Sequence, residues 1–406
     1  MTDPRSADAS LPGGYLRLPR PVWQLGWVSF FTDVAGEMVY PLLPMFLTVV
    51  LGASAMSLGV IEGVAEAANS LLKIGSGWLA DRWHTPKALV LGGYTLSSGL
   101  RPLIAFVASW PQLLLLRFGD RLGKGIRSSP RDAMLARFAP PDRRGLVFGF
   151  HQSMDHAGAV LGPLIASAYL YFHHDAYRSL FAWTLVPGIV VVLVLLRLPN
   201  ARLDDERPPV GRISRPGGPG ARLPPRFYRA IAVIFVFTLG NASDTFLLLR
   251  LAQIGIAEVW IPLLWSALHV VKMTTSLVGG SLSDRVGRRT MIGWGWLVYA
   301  AVYAGFGHVD DRGGIIAIFL AYGLYFGLTE GVEKAWVADM APAHARGTAF
   351  GLYNGVLGIG GLAASLLSGY IWTRVSPHAA FLTGAALALA ATLLLYFVFS
   401  HDATEG

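Results

Sequence analysis

Two carboxylates, Asp33 and Glu37, stand one helical turn apart in FTDVAGEMVYPLLP, residues 31–44, a stretch otherwise as apolar as a membrane helix. An ion held in hydrocarbon is strongly disfavoured, so two acids on one helical face require cationic partners or access to protons. Acids that bind and release protons as water reaches them from one side or the other form a proton-coupling element, and Asp33 and Glu37 are the candidates. Pro41 and Pro44 break backbone hydrogen bonding just beyond them, as in helices that bend. The competing reading is permanent pairing with Arg101, Arg117 or Arg121, which carries no proton.

Cations at comparable depth lie in LLLLRFGDRLGKGIRSSPRDAMLARF, residues 113–138. Arg117, Arg121 and Lys124 share one helical face, and Asp120, Lys124, Arg127 and Arg131 form an overlapping stripe. Facing lipid, such a stripe would be prohibitive, so it faces water or carboxylates. Arg117, Asp120, Arg121 and Lys124 are therefore candidate substrate contacts. His151 and Asp155, again four apart, and Asp244, beside Asn241 and Ser243, join them. The bland alternative is a helix that ends early, leaving residues 120–132 as a solvated loop. Glu62, Glu66 and Lys73 read as a network inside one bundle.

These residues need helices that cross a membrane. Of 406 residues 53% are hydrophobic and only 14% charged, with 47 glycines, and apolar stretches long enough for a hydrocarbon core of about 30 Å recur along the chain. Twelve spans are expected, at roughly 22–50, 56–80, 88–109, 111–138, 145–171, 177–199, 228–253, 257–283, 290–309, 313–340, 345–371 and 376–400. The predicted division is a cytoplasmic tail (1–21), a six-helix bundle (22–199), a Pro/Gly-rich cytoplasmic linker (200–226), a second six-helix bundle (227–400) and a short cytoplasmic tail (401–406). Outside the spans, Lys and Arg crowd the loops on one side, whereas Arg178, Arg312 and Arg374 lie on the other. By the positive-inside rule both termini are cytoplasmic. The same distribution assigns the net charge of +8 to membrane topology rather than to nucleic acid. No cysteine is present, so disulfides and thiolate metal sites are excluded. Residues 1–20 show no apolar core of a signal peptide.

The two halves repeat one another. GWLADRWHTPK (77–87) and GSLSDRVGRR (280–289) share G-x-L-[AS]-D-R at an offset of about 203, and RRGLVFGF (143–150) and ARGTAFGL (345–352) share R-G-x-x-F-G at 202. Two duplicated bundles can rock about a central site near the bilayer midplane. With these motifs the chain resembles a transporter of the major facilitator superfamily, over nearly its whole length. The superfamily's loop signature is complete in the second half as Gly280, Asp284, Arg285, Gly287, Arg288 and Arg289. In the first half Gly77, Asp81 and Arg82 match, while His84 replaces the second glycine. The resemblance implies that Asp81 and Asp284 pair with nearby arginines and helix N-termini, holding one face shut until the bundles rock. It also implies that Arg117 points into the cavity, since the family's R-x-x-Q-G begins there, although Asp120 and Arg121 replace its glutamine and glycine. Gly158, Gly162 and Pro163 resemble the G-x-x-x-G-P of proton-coupled antiporters. Within the repeat, Glu330 and Glu333 fall opposite Ser128 and Arg131, so Arg127 and Arg131 are expected to pair with Glu330 and Glu333 and seal the cytoplasmic side.

The expected protein is thus an all-α, twelve-helix secondary transporter of the bacterial inner membrane, monomeric, with protons, lipid and a small molecule as its partners and no cofactor or metal. Proton-coupled efflux is the first reading. Uptake of an anionic metabolite is the alternative, and copper import, from His269 and Met273 four apart, a third. A non-transporting membrane sensor is the option from another class. No G-x-S-x-G, H-E-x-x-H or P-loop indicates an enzyme.

Overall fold

The structure, a computed structural model, describes residue 15 and residues 17–53, 55–83, 86–174, 176–199, 223–256 and 260–400. His84, linker residues 200–222, the C-terminal tail and most of the N-terminal tail lie outside the described residues, as do the side chains of Glu62 and Glu66. Among the described residues there is helix and no strand. We number the helices α1 (Arg20–Glu37), α2 (Ala55–Trp83), α3 (Pro86–Leu103), α4 (Trp110–Phe138), α5 (Arg144–Phe172), α6 (Tyr177–Leu196), α7 (Pro225–Gly240), α8 (Ile261–Val286), α9 (Arg288–Phe306), α10 (Arg312–Met340), α11 (Arg346–Arg374) and α12 (Pro377–Val398). Six spans, α6, α7 with its continuation to Leu251, α8 and α10 to α12, are long and apolar enough to cross a membrane on length and composition alone. Helix α4 falls short because of its charges, which the fold must satisfy internally.

Two helices break where function would need them to. Beyond Glu37 the chain keeps turning but loses the regular α ladder, with a tight turn at Tyr40–Leu42, one α turn at Leu43–Met45 and a wide π turn at Phe46–Val50. Pro41 and Pro44 supply no N–H to that ladder. Helix α7 stops at Gly240 and resumes at Thr245–Gln253, leaving Asp244 at the restart. Such breaks are tolerated at membrane depth only where protein or water satisfies the freed backbone. Helix α4, by contrast, runs from Trp110 to Phe138 through Pro130, so residues 120–132 are helix and not a loop.

Within the first bundle α1 packs on α5 and α6, α3 lies between α4 and α6, and α2 lines α4. Within the second, α8 and α9 pack on α10, and α12 on α7 and α9. The main contacts between bundles are α5 with α8 and α2 with α11, the same pairing made twice by the repeat. Buried aromatic rings (Phe237, Trp296, Tyr299, Tyr303, Tyr322) fill the second bundle. Both bundles bury charged groups, the first Arg101, Arg117, Asp120, Arg127 and Asp132, the second Arg250, Lys272, Glu333 and Lys334.

Candidate functional site

The end of the molecule that carries both loop signatures is shut by a seam with two-fold pseudo-symmetry. Asp81, near the end of α2, accepts hydrogen bonds from the Gly347 and Thr348 amides (2.8 and 2.6 Å) and from the Thr348 hydroxyl (2.7 Å) at the start of α11. Asp284, near the end of α8, accepts from the Gly145 and Leu146 amides (2.9 and 2.8 Å) at the start of α5. Each carboxylate thus caps the positive N-terminus of a helix in the other bundle. Arg288 pairs with Asp284 at 2.6 Å and reaches Asp339 at 3.0 Å, and Arg144 binds the same Asp339 at 2.9 Å. Backbones must almost touch for these caps to form. A β-carbon at Gly77 would collide with the Gly347 carbonyl oxygen, and one at Gly280 with the Gly145 carbonyl oxygen. Gly287, at φ +96°, turns the chain from α8 into α9 in a conformation that side chains oppose. Arg82 lies over Trp78 with its guanidinium carbon 5.3 Å from the ring centre, and it and Arg285 are exposed.

Residues equivalent in the repeat meet each other along the pseudo-two-fold axis. The Phe148 and Phe350 rings, 202 positions apart, have centres 5.8 Å apart. Asp132 and Lys334, also 202 apart, approach to 3.9 Å, and Lys334 donates to Gln152 Oε1 at 2.9 Å. From α11, the Asn354 amide reaches Asp132 at 3.5 Å.

Above the seam, the first bundle holds a charged core. Asp120 accepts from Arg101 Nε at 3.1 Å and pairs with Arg117 at 3.5 Å, and a second Arg101 nitrogen donates to the Thr32 carbonyl at 2.6 Å. The Arg117 guanidinium also lies 5.8 Å from the ring centre of Tyr40. Asp33 is close in charge to Lys124, Arg101, Asp155 and Glu37, and Glu37 to Lys124, Arg121, Arg101 and Arg117. Gly158 and Gly162 of α5 allow α1 to approach. Their β-carbons would stand 3.0 Å from the Asp33 Cβ and 2.7 Å from the Glu37 Cβ. One oxygen of Glu37 is buried with no hydrogen-bond partner.

The second bundle answers with an aromatic box. The Lys272 ammonium sits 3.6 Å from the Phe326 ring centre, flanked by Trp265 and Tyr322, and 3.4 Å from Asp244. Tyr322 donates to the other Asp244 oxygen at 2.8 Å. Where the bundles touch near mid-depth, His156 of α5 lies 3.3 Å from Glu330 of α10 and packs edge-on against His269.

The sequence model of the Major Facilitator Superfamily matches residues 25–332 and 252–406. An MFS-type transporter of Methanocaldococcus jannaschii is 32% identical over 387 residues, covering 94% of this chain and 95% of that protein. The chain belongs to the Major Facilitator Superfamily. The multidrug resistance protein MdtH of Salmonella paratyphi B is 24% identical over 381 residues, covering 90% of this chain and 91% of its own. The crystal structure of the human organic anion transporter MFSD10 superposes with a TM-score of 0.75 at 15% identity, covering 93% of this chain and all of that one, which shows a shared fold.

In this facilitator-superfamily transporter three sequence expectations need correcting. Arg127 and Arg131 do not meet Glu330 and Glu333. Arg127 donates to Ser97 Oγ at 2.6 Å and stacks 4.1 Å over Tyr94, and Arg131 pairs with the adjacent Asp132 at 3.0 Å, so both are satisfied within their own bundle. Glu333 accepts from Trp296 and Tyr353 (3.2 and 3.0 Å), also within its bundle. The acid–base link across the axis runs the other way, from Asp132 to Lys334. Second, Asp120 is buried and paired with Arg101 and Arg117 inside its own bundle, so it stands as their counter-ion. Third, His151 is fully buried and bonded to Ser29 Oγ at 2.9 Å, so its ring positions α1 against α5. Asp155, 3.7 Å from His151, stays partly exposed. Sequence reasoning passed over His156, Asp132, Gln152 and Asn354. Asp132 and Lys334 were visible as equivalents in the repeat, and His156 carried no such signal.

Tyr15 adds a strap across the seam's edge. Its hydroxyl donates to the Leu277 carbonyl of α8, and burial beside Asp284 pushes the phenol up to about 12, so it remains a donor at neutral pH. Tyr15→Phe should lower the stability of the closed form by about 1 kcal/mol, read as a small fall in the thermal unfolding midpoint with no loss of fold.

Proposed function

We propose that this transporter exports a small organic molecule in exchange for protons by rocking its bundles about the charged core, with Asp33 and Glu37 as the proton-coupling pair. The observation that carries this reading is the placement of both acids against the glycine face of α5, inside the first bundle and beside Lys124. There, proton binding competes with ion pairing to the cations of α4. Arg117, Arg121, Lys124, Asp155 and, across the gap, Asp244 form the substrate-facing set. Asp81 and Asp284, with Gly77, Gly280, Gly287 and the arginines Arg82, Arg285, Arg288 and Arg289, form the gate. Lys334 and Glu330 complete that gate at the axis and at mid-depth.

The closed seam lies at the end richest in arginine, which we place in the cytoplasm together with both termini, in a bacterial inner membrane. The conformation is then one shut on the cytoplasmic side. Export as the direction is supported by similarity to a multidrug resistance protein. We take the monomer as the working unit.

The test is proteoliposome flux. With an imposed pH gradient across vesicles holding the purified protein, a panel of amphiphilic compounds should include members whose uptake collapses that gradient. Compounds that move without any proton movement, whatever the gradient, would refute the coupling and leave transport standing.

A further inference from the structure

In the second bundle one lysine stands inside a box of aromatic rings. Lys272, on α8, holds its ammonium 3.6 Å from the ring centre of Phe326, 5.3 Å from that of Trp265 and 5.7 Å from that of Tyr322. Its ionic partner is Asp244, at the restart of α7, at 3.4 Å. That is long for a charge-assisted hydrogen bond, usually about 2.7–2.9 Å, so the ring faces as well as the carboxylate fix the ammonium. Asp244 does not depend on the lysine alone. Tyr322 donates to its other oxygen at 2.8 Å, and its side chain is 27% exposed against 3% for Lys272. An acid that water already reaches needs no desolvated counter-ion, and a lysine serving only as one would keep its strongly hydrated ammonium on the wet side. The box is braced by its own bundle. Phe326 is held edge-on by Tyr322 and Tyr325, with ring centres 5.1 and 4.9 Å away, and Asn241 at the break in α7 donates to the Tyr325 hydroxyl at 3.2 Å. The other polar group beside the box, His269, packs edge-on against Trp265, and neither of its ring nitrogens makes a hydrogen bond.

We propose that Trp265, Tyr322, Phe326 and Asp244 form an organic-cation site that Lys272 fills from within, so that Lys272 keeps compact ammonium compounds out of the second bundle. Aromatic faces beside a carboxylate are the arrangement that recognises alkylammonium groups. The lysine's own ammonium meets the same requirements, and its tether presents it at an effective concentration on the order of millimolar or above. A free ammonium compound must displace it and leave a buried charge without its partner. An uncharged or anionic molecule faces no such competition, so the lysine acts as a device against one class of ligand. The proposal rests on Asp244 being substrate-facing and deepens that reading, since the second bundle then selects against positive charge and the exported molecule is not a compact organic cation.

Removing the occupant should uncover the site. The full chain in lipid nanodiscs is titrated with choline and with the uncharged alcohol in which carbon replaces the quaternary nitrogen, and binding is followed by calorimetry and by the thermal unfolding midpoint. Lys272→Ala should bind choline at least about tenfold more tightly than wild type does, and about tenfold more tightly than it binds the alcohol, the size of a desolvated cation–π contact. Adding Asp244→Asn or Phe326→Leu to Lys272→Ala should abolish that preference. Lys334→Ala, which vacates a lysine held by Gln152 and Asp132 instead of by rings, should gain no affinity for choline. Lys272→Ser leaves nearly the same space and takes over the titration if the alanine variant does not fold. Equal choline affinity in wild type and the Lys272 variant would overturn the proposal. So would equal binding of choline and the alcohol, a preference that survives both added substitutions, or an equal gain in Lys334→Ala. Flux plays no part in the readout, so failure of proton-coupled export leaves this result standing, and failure here leaves export standing.

Discussion

Replacing Gly280 with valine should leave the transporter folded but unable to close its seam, with transport falling by about a hundredfold or more. The neighbour that a side chain would meet is the Gly145 backbone carbonyl, not a side chain that can rotate away. Relief therefore requires the bundles to separate. Overpacking of a close contact costs about 1–3 kcal/mol when side chains absorb it, and here helices must move instead, so the population of the closed state falls by a comparable factor of ten to several hundred. Separation also pulls the Gly145 and Leu146 amides off Asp284, which adds to the loss. The absence of native cysteine makes the measurement clean. A cysteine introduced at Ser283, buried in the seam, should resist a membrane-impermeant thiol reagent in the otherwise wild-type protein and react readily beside Gly280→Val. Gly280→Ala should fall between. Wild-type transport by Gly280→Val would mean that the seam is not part of the cycle.

This contact shows what the sequence made legible. The repeated G-x-L-[AS]-D-R and R-G-x-x-F-G motifs named both halves of the seam, because a duplication conserves the register of its own symmetric contacts. The twelve helices followed from the recurring apolar stretches, six of them apolar enough to cross a membrane on length and composition alone, and the charged face of α4 from helical periodicity. What failed was the choice of partners at the seam. Offset alignment set Glu330 and Glu333 against Ser128 and Arg131, which treats equivalence in the repeat as contact in space. Equivalence implies contact only on the pseudo-two-fold axis, and the residues on that axis are Asp132, Lys334, Phe148 and Phe350. Off the axis, each bundle satisfies its own charges, as Arg127 does on Ser97 and Tyr94. The breaks after Glu37 and Gly240 were half visible. Pro41 and Pro44 announced the first, whereas the turn-forming residues Gly240, Asn241, Ser243 and Asp244 at the second were read as candidate contacts instead. His156 was illegible because a single histidine in a span reads the same whether it faces its own bundle or the other one.

Asp33→Asn should uncouple transport from protons, and its effect should differ in kind from that of Glu37→Gln. Asp33 lies among Lys124, Arg101, Asp155 and Glu37. Neutralising it leaves Lys124 and Arg101 short of one negative charge, and removing one partner from a buried ionic cluster costs about 3–5 kcal/mol. Glu37 faces four cations, but one of its oxygens makes no hydrogen bond, so an isosteric amide there forfeits none at that atom. Both amides can mimic only the protonated carboxyl, so neither variant can take up or release a proton. If the acids carry the coupled proton, gradient-driven flux in Asp33→Asn should fall by at least about a hundredfold, the size of effect usual when a proton-transferring group is removed. Exchange of labelled for unlabelled substrate at equal pH should continue, since it needs rocking but no net proton movement. Glu37→Gln should retain more gradient-driven flux and lose less thermal stability. The opposing outcome is as definite. If both acids only pair with α4 cations, Asp33→Asn should lose exchange, flux and thermal stability together, and raising the external pH should leave wild-type flux unchanged. Lys124→Gln tests the same competition from the cationic side. Without that ammonium the competition for the carboxylates is lost, so the pH profile of flux should differ from that of the wild type, and an unchanged profile would show that Lys124 does not govern proton release.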